Sequence, residues 1–505
     1  MACIGIDCGT QSLKVLFWDP EQNASTSASR SYGLIEGLPA GHKEQHPSIW
    51  IKALEECVAE LSEKGIPLDT VKGIGVSGQQ HGLVVLDGAN QPIRPAKLWN
   101  DTSTEAQCQK IVEATGGSEA YRSEIGNSLP PGFTASKILW LRDNEPDAYV
   151  RVQSILLPHD FLNFYLTGEK TAEAGDASGT GYFDVRNRRW SDAVLEAIDP
   201  KKDLGACLPR LISSSEAAGL LRTDLAKKWG MASDVIVSSG GGDNMMGAIG
   251  SGNVEAGIMT VSLGTSGTIY SYSTSPVIDP EGEIAAFCDS TGGWLPLGCT
   301  MNVTVATEMV RNGFSSVDHE GFDAAVDSVP PGSDGLILLP YLEGERMPPV
   351  PEGSGVVLGL RPSTASPQYL ARAAMEGVTM GLRYGLDRLT ELGMNPKEIR
   401  LIGGGAKSPV WRQIVSDIFN LPLASPENEE GPALGAALQA LWCVNGGDMQ
   451  ELASNSVKLD EKTRCRPDRR RVGTYEDLYS VYLKLADALT NSPVFPAHRD
   501  LIKDS

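Results

Sequence analysis

The fold is decided by two similar stretches in opposite halves of the chain, CIGIDCGTQSLKVLFWD at residues 3–19 and GIMTVSLGTSGTIYSYS at residues 257–273. In each stretch an apolar strand runs through a turn of glycine and hydroxyl residues into a second apolar strand, which predicts a hairpin. One hairpin opens each half of the chain. This repetition predicts a duplicated, two-lobed architecture with an N-terminal domain at residues 1–252 and a C-terminal domain at residues 253–505.

The length and composition agree with this division. A chain of 505 residues is too long for one hydrophobic core, so two domains are expected. Short apolar strands alternate with helical patterns along the chain, which is typical of an α/β fold. The nine cysteines are scattered without a C-x-x-C pair, which argues against a zinc site or a disulfide framework.

The charge balance excludes some classes of partner. The formal net charge is −21, and basic residues cluster only in RCRPDRRR at residues 464–471, so a nucleic-acid surface is not expected. No apolar run has membrane-spanning length, and the opening MACIGIDCGT lacks the features of a signal peptide. We therefore expect a cytoplasmic protein with neither nucleic-acid nor membrane partners.

The two glycine-containing turns are candidate phosphate sites. A tight turn of small residues presents successive backbone N–H groups in a concavity that holds anions. The hydroxyls of Thr10, Ser12, Thr265 and Ser266 add donors. One such turn in each lobe would bind the phosphates of a nucleotide, and the alternative is a pair of ordinary hairpin turns.

Asp7 ends the first predicted strand, directly before its turn. A carboxylate beside bound phosphates repels them unless a cation lies between, and Mg²⁺ prefers few carboxylates, several waters and phosphate oxygens. Asp7 is therefore a candidate Mg²⁺ residue that acts through water. The alternative is an aspartate that stabilises the turn.

A third glycine-rich turn lies in IRLIGGGAKSPVWRQIVSDIFNLP at residues 399–422. Residues 399–402 are a predicted strand, and residues 403–405 allow a ligand to approach the main chain. Ser408 and Pro409 suit the N-cap and first position of a helix. This arrangement favours a nucleotide, and the alternative is a plain strand-to-helix turn.

Two further loops carry polar groups of the kind that bind sugars. They lie in GVSGQQHGLVVLD and KLWNDTST, at residues 75–87 and 97–104. Sugars are bound by planar hydrogen-bonding side chains beside an aromatic wall, although a structural histidine and a core tryptophan remain alternatives. The candidates are Gln80, His81, Trp99, Asn100 and Asp101.

Asp243 follows VIVSSGGG, where a strand is predicted to end and a helix to begin. A carboxylate at a helix N-terminus is stabilised in its ionised form. An ionised carboxylate can orient an alcohol and take its proton during phosphoryl transfer. Asp243 is thus a candidate general base, and the alternative is a helix-capping aspartate.

Together these segments resemble the FGGY carbohydrate kinases, and within them the xylulokinase branch. The resemblance covers almost the whole chain and includes GIDCGTQSLK, VSGQQHG, LWND, PGFTASKILWLR, LPHDFLNFYLTGE, GDASGTGYFDV, GGGDNMMGAIG, SLGTSGT, GGGAKSPVWRQIVSDI and GPALGAALQA. It implies an actin-like (ribonuclease H-like) two-domain fold, with ATP and sugar meeting in an interdomain cleft. It also implies transfer of a phosphoryl group from ATP to D-xylulose, with Mg²⁺.

The resemblance assigns roles to individual residues. Asp243 matches the catalytic base and Asp7 the acidic residue near Mg²⁺ and phosphate. Gln80, which replaces a methionine of many relatives, and His81 match the substrate pair, and Asn244 is a further sugar contact. The nucleotide-side positions are Thr10, Gly264, Thr265, Gly404, Gly405 and Ser408, the last replacing an asparagine of some relatives.

Other functions remain open on the sequence alone. The sugar could instead be ribulose, gluconate or glycerol, because hydroxyl stereochemistry depends on a few side chains. A second class is an actin-like ATPase scaffold, which would need no sugar loops. A homodimer is expected only from the family.

Overall fold

The computed structural model describes residues 1–22 and 24–502. The chain forms two compact units. Unit 1 contains Met1–Glu255, Tyr272–Pro296 and Glu430–Lys458, and unit 2 contains Ala256–Ser271, Leu297–Glu429 and Leu459–Ser505. A late segment of the chain thus belongs to the first unit. The boundary after Gly252 stays a prediction.

The main sheet of unit 1 has seven strands in the order β5-β6-β4-β1-β2-β3, with β7 also paired to β4. Strand β1 is antiparallel to β2 and parallel to β4, and β6 and β7 are parallel to β4. The predicted first hairpin is therefore confirmed. The strands are β1 Ala2–Cys8, β2 Ser12–Asp19, β3 Ala24–Ser31, β4 Val71–Gly78, β5 Ala217–Leu220, β6 Ile236–Ser238 and β7 Gly241–Gly242.

The sheet of unit 2 begins in the same way. Strand β8 is antiparallel to β9 and parallel to β11, so the second hairpin and the repetition are also confirmed. Six neighbouring strands of this seven-stranded sheet have the order β10-β9-β8-β11-β12-β13. The strands are β8 Ile258–Leu263, β9 Gly267–Ser271, β10 Trp294–Thr300, β11 Glu398–Ile402, β12 Leu423–Pro426 and β13 Leu459–Cys465.

Seven of the helices in the described residues are numbered, and the others are identified by their bounds. The seven are α1 Ser48–Glu63, α2 Pro158–Thr167, α3 Asp243–Gly250, α4 Pro367–Glu391, α5 Pro409–Phe419, α6 Gly431–Asn445 and α7 Arg469–Thr490. Other helices span Glu105–Ala114, Ser118–Ile125, Thr134–Asn144, Pro146–Val150, Ala174–Ala177, Asp192–Ile198, Thr223–Trp229, Thr304–Val310, His319–Asp327, Met449–Ser456 and Val494–Ile502. Further short strands lie at Glu44–Gln45, Val84–Leu86, Ala96–Lys97, Ser154–Leu156, Thr171–Glu173, Phe183–Asp184, Arg189–Trp190, Arg210–Ile212, Ala285–Cys288, Ile337–Pro340 and Gly355–Leu358.

The side chains of β1 alternate between two cores, as the period of a strand requires. Ile4 and Ile6 join the cluster that contains Trp50 of α1. Cys3 joins the cluster beneath α6. Because β1 is covered on both faces, its carboxyl end is held firmly from two sides.

Helix α6 approaches the unit 1 sheet closely because both surfaces carry small residues. A Cβ at Gly5 would lie 1.7 Å from the Ala433 carbonyl oxygen, and one at Gly75 would lie 2.0 Å from that of Ala436. Gly435 makes an equally close approach to α3, where a Cβ would lie 1.8 Å from the Met246 carbonyl oxygen. The late segment therefore fixes α3 against the sheet.

The C-terminal segment of unit 2 forms a packed helix. Tyr475, Leu478, Tyr479 and Tyr482 of α7 are buried on one face. Among residues 1–22 and 24–502, no helix combines the length and the apolar character needed to cross a membrane.

Candidate active site

Three parallel strands of unit 1 bring the acidic candidates together. Asp7 of β1 is the register partner of Ser77 in β4, and Ser77 is the partner of Gly241 in β7. Helix α3 begins two residues after Gly241, with Asp243. Asp7 and Asp243 therefore lie at the carboxyl ends of neighbouring strands, where α/β sheets bind ligands.

Asp243 is the first residue of α3 and not its cap. The N-cap is Gly242, and no side chain caps this helix. Asp243 Oδ1 accepts hydrogen bonds from the Asn244 backbone N–H at 2.8 Å and from Asn244 Nδ2 at 3.0 Å. No donor within the described part of the chain contacts Oδ2. The side chain is half-buried, so one carboxylate oxygen remains available to a ligand.

The surroundings of Asp243 raise the pKa of its carboxyl group to about 7. Burial is the largest cause, and the negative charges of Asp7 and Asp176 act in the same direction. The two hydrogen bonds from Asn244 act against them. The helix N-terminus favours the ionised form, but burial and like charges outweigh it.

Gln80 fixes Asn244, the residue that donates hydrogen bonds to Asp243. Its side chain is 5% exposed, and its Oε1 accepts a hydrogen bond from Asn244 Nδ2 at 2.8 Å. Its Nε2 lies 3.4 Å from the Met245 sulfur. Both ends of the Gln80 amide are thus used within the protein, and Asn244 is fixed between Gln80 and Asp243.

His81 lies in an aromatic corner with a left-handed backbone. Its φ is +63°, a region that favours glycine. Its ring centroid is 4.7 Å from that of Phe133 and 5.7 Å from that of Phe287. A Cβ at Gly179 would lie 1.8 Å from the imidazole, so only glycine leaves room for this ring.

The loop of Trp99, Asn100 and Asp101 has side chains of two kinds: some face a possible ligand, and one holds the loop together. Trp99 is half-buried, and its indole N–H donates to Thr10 Oγ1 at 2.9 Å. Asn100 Oδ1 is buried without a hydrogen-bond partner within the described residues. Trp99 and Asn100 are therefore the two members of this loop that face a possible ligand.

Asp101 is fully buried and holds the loop together. One oxygen accepts from the Lys43 backbone N–H at 2.9 Å and from Lys97 Nζ at 3.0 Å, and the other accepts from Ser103. His42, Glu44 and Asp101 could together ligate a metal. Their common neighbour is the Lys97 ammonium, which lies 3.2 Å from His42 Nδ1 and 3.3 Å from Glu44 Oε1. The geometry therefore gives Asp101 a structural ion pair.

Asp7 meets the requirements of a Mg²⁺ residue. Its Oδ1 accepts from Ser77 Oγ at 3.0 Å, and its half-buried side chain is the only carboxylate on β1. Burial raises its pKa to about 6, against the effects of the Ser77 hydrogen bond and of Lys14. A single open carboxylate beside waters and phosphate is the coordination that Mg²⁺ prefers.

A buried ionisable cluster beside His81 was missed by sequence reasoning. His159 Nδ1 is 2.5 Å from Asp176 Oδ2, and its Nε2 is 3.2 Å from Asp160 Oδ1. Burial raises the pKa of Asp160 and of Glu173 to about 7. Polar residues within LPHDFLNFYLTGE and GDASGTGYFDV were the available signal, but no local pattern pairs them.

The nucleotide-side candidates other than Thr10 lie in unit 2, and the turns that carry Gly264, Thr265, Gly404 and Gly405 follow two parallel strands. Ser262 of β8 is the register partner of Ile402 in β11, so the turns after both strands lie at one edge. Gly403 has a φ of +89°, and a Cβ there would lie 2.8 Å from the Leu263 backbone. The sequence could not show that these two turns touch.

The individual nucleotide-side residues differ in openness. Thr265 is exposed, while the carbonyl oxygens of Gly264 and Thr265 accept hydrogen bonds from the backbone N–H groups of Thr304 and Val303, respectively. Gly404 is exposed with no atom within 4 Å of an added Cβ, whereas a Cβ at Gly405 would lie 2.8 Å from Leu263.

Ser408 is the N-cap predicted for α5. Its hydroxyl accepts from the Trp411 backbone N–H at 3.1 Å and donates to Asp323 Oδ1 at 2.8 Å. Pro409 occupies the first turn, as expected. The hydroxyl is therefore used within unit 2.

Comparison with known proteins decides the family. The N-terminal domain model of the FGGY family of carbohydrate kinases matches residues 2–250, and its C-terminal domain model matches residues 259–444. The chain belongs to the FGGY family of carbohydrate kinases. The predicted actin-like, two-domain α/β fold is thereby confirmed, and the protein is an enzyme that phosphorylates a carbohydrate with ATP.

Individual relatives support this assignment over nearly the whole length. The chain is 42% identical to a xylulose kinase of Haemophilus influenzae, across 95% of this chain and 98% of the relative. A solved protein of Brucella ovis named xyloylose kinase is 32% identical with a TM-score of 0.90, covering 97% and 99% of the two chains. A gluconate kinase of Lactobacillus acidophilus is 25% identical with a TM-score of 0.90, covering 97% and 98%.

Proposed function

We propose that this carbohydrate kinase transfers the γ-phosphoryl group of ATP to the terminal hydroxyl of D-xylulose, giving D-xylulose 5-phosphate and ADP. The observation that carries the proposal is the half-buried Asp243, with one carboxylate oxygen held by Asn244 and the other unengaged. The near full-length likeness to proteins named xylulose kinases supports the choice of sugar.

Asp243 acts as the general base in this proposal. Its free oxygen accepts the proton of the sugar hydroxyl as the hydroxyl oxygen bonds to the γ-phosphorus and the bond to ADP breaks. A base is most effective when its pKa lies near the working pH. The pKa of about 7 meets this requirement.

The neighbouring side chains position the base and the sugar. Asn244 and Gln80 fix the carboxylate, because their amides form a continuous chain of hydrogen bonds to Asp243 Oδ1. His81, Trp99 and Asn100 supply the sugar contacts. Gln80 thus acts on the sugar through Asn244, and Asp101 acts by holding its own loop.

The nucleotide binds to the turns of unit 2 in this proposal. The open main chain at Gly404 and the exposed Thr265 bind phosphate groups, while Gly405 and Ser408 shape the turn. Asp7 would hold Mg²⁺ through water, and the bound ion would neutralise charge on the phosphates. The nucleotide contact of Thr10, the cytoplasmic location and the homodimer stay predictions.

A coupled assay of ADP release across D-xylulose, D-ribulose, gluconate and glycerol tests the substrate. We expect the highest kcat/KM with D-xylulose. A preference for gluconate would move the protein toward the second candidate, for which the gluconate kinase structure is the supporting observation. ATP hydrolysis that ignores every sugar would instead support the scaffold alternative.

The Asp243→Ala variant tests the base. We expect kcat to fall about 10²–10⁴-fold, the range that a positioned base contributes, while ATP binding measured by calorimetry stays near that of the parent. Asp224→Ala is the control, since Asp224 is an exposed acid paired with Arg222. Near-normal turnover in Asp243→Ala would overturn the assignment.

A further inference from the structure

Lys137 is a fully buried lysine on the helix Thr134–Asn144. Its ammonium donates to the His81 carbonyl oxygen at 2.7 Å and to the Gly132 carbonyl oxygen at 2.6 Å. No carboxylate of the described chain lies within 4 Å of it. Because burying a charge without an opposite charge is costly, burial lowers the pKa of the Lys137 amino group to about 7. The two hydrogen bonds to carbonyl oxygens, and not an ion pair, are therefore what this lysine supplies.

The first carbonyl belongs to a strained residue of the sugar side. His81 has a φ of +63°, a conformation that persists only when its surroundings enforce it. Its carbonyl oxygen also accepts from Thr134 Oγ1 at 3.1 Å. The His81 backbone N–H donates a hydrogen bond to the buried Asp176. The main chain of His81 is thus held from two directions.

The second carbonyl belongs to the segment that backs the aromatic wall. A Cβ at Gly132 would lie 2.4 Å from the Trp99 carbonyl oxygen, so the two main chains are in direct contact. One ammonium therefore connects the loop of His81 to the segment that supports Trp99. No other side chain described above contacts both.

We propose that Lys137 is a positioning residue for the acceptor sugar, which sets the distance between the His81 loop and the Trp99 loop. The inference rests on the proposed function only in assuming that these two loops bind the sugar. It predicts that loss of the ammonium weakens sugar binding and leaves the chemistry and the nucleotide side unchanged.

The test is Lys137→Met, which keeps the length of the side chain and removes its donors. We expect the KM for D-xylulose to rise about tenfold or more, since hydrogen bonds from charged groups are worth several-fold to over a hundredfold in affinity. We expect kcat and the KM for ATP to change less than about threefold. Thr134→Val, which removes only the second donor to His81, should raise the sugar KM less.

Lys202→Met is the matched control. Lys202 also donates to two backbone carbonyls, those of Tyr149 and Val152, at 3.1 Å and 2.8 Å. Neither residue belongs to the candidate site. An equal rise of the sugar KM in Lys202→Met, or an unchanged sugar KM in Lys137→Met, would overturn the proposal.

Hydrogen–deuterium exchange separates this inference from the proposed function. In Lys137→Met, the amides of residues 79–83 should exchange faster than in the parent. In Lys202→Met, the same amides should exchange at the rate of the parent. A parent enzyme that phosphorylates no sugar would refute the proposed function, and exchange would then decide whether Lys137 holds the loop. If Lys137→Met does not fold, Thr134→Val must show both changes, or the proposal fails.

Discussion

The two glycine–threonine turns look alike in sequence but are used differently. In unit 1, Thr10 is half-buried, and its hydroxyl donates to Gln79 Oε1 at 3.0 Å while accepting from the Trp99 indole. In unit 2, Thr265 is exposed at the equivalent place. Similar hairpins therefore lead to two different turns. In unit 1 the threonine hydroxyl is hydrogen-bonded within the protein, and in unit 2 the threonine is exposed.

This difference follows from what each unit is proposed to bind. A base and a sugar must be aligned within a fraction of an ångström, so unit 1 fixes its side chains by buried hydrogen bonds. Phosphates can be bound by backbone N–H groups of an open turn. The comparison predicts that changes in unit 1 alter catalysis or folding, while changes in unit 2 alter nucleotide affinity.

The largest expected effect is the pH dependence of unit 1. Because the pKa of Asp243 is about 7, the base is protonated and inactive at lower pH. kcat/KM for the sugar should therefore fall about tenfold per pH unit below 7, or about a hundredfold by pH 5. Initial rates between pH 5 and pH 9 at saturating ATP measure this.

Asp243→Asn supplies the control for the pH profile. Its residual rate should be independent of pH in the acidic range. Since the folded pKa of Asp243 lies above its ordinary value of 3.8, its contribution to the free energy of unfolding falls as pH rises from 3.8 to about 7. Asp243→Asn should therefore be more stable than the parent at pH 8. A profile unchanged by the substitution would assign the titration to another group.

A smaller effect is expected at the glycine turn of unit 2. Gly404 has room for a Cβ, so Gly404→Ala should fold normally and raise the KM for ATP about tenfold by obstructing the main chain. In Gly405→Ala the new methyl would meet Leu263 and Trp411, and overpacking should cost about 1–3 kcal/mol of stability. ATP titration and thermal unfolding distinguish the two. Normal ATP affinity in Gly404→Ala would remove the turn from the nucleotide site.

The two threonines test the comparison itself. Thr10→Val removes the hydroxyl that hydrogen-bonds to the buried Gln79 amide and to the Trp99 indole, which should cost about 1–3 kcal/mol of stability. Thr265→Val lies at the surface and should change stability by less than about 0.5 kcal/mol. It should instead raise the KM for ATP. If both variants lost stability equally, the two turns would not differ in the way that we describe.

The sequence predicted the features that depend on neighbours along the chain. Both hairpins, the strand before Gly403, the Ser408 cap and the start of a helix at Asp243 depend on local patterns, and all are observed. Each of these follows from spacing or backbone preference within about ten residues.

The sequence could not predict what depends on distant pairings. Asn244 and Gln80 are 164 residues apart, and no pattern in either segment indicates that their amides meet. The helix N-terminus suggested an easily ionised Asp243, yet burial and the charges of Asp7 and Asp176 determine its pKa in the opposite direction. The membership of residues 430–458 in unit 1 likewise depends on packing.

The smallest expected effect is that of changes at Ser408, which show whether its hydroxyl caps a helix or contacts the nucleotide. Its hydroxyl caps α5 and bonds to Asp323, so Ser408→Ala should cost about 1 kcal/mol of stability through the lost cap. Because the hydroxyl is already engaged, the KM for ATP should change little, and Ser408→Asn, which restores a capping side chain, should recover the stability. Thermal unfolding and ATP titration of both variants measure this. A large rise in the KM for ATP with unchanged stability would show that Ser408 contacts the nucleotide. Unit 2 would then bind its ligand with a side chain that is fixed by hydrogen bonds, as unit 1 does.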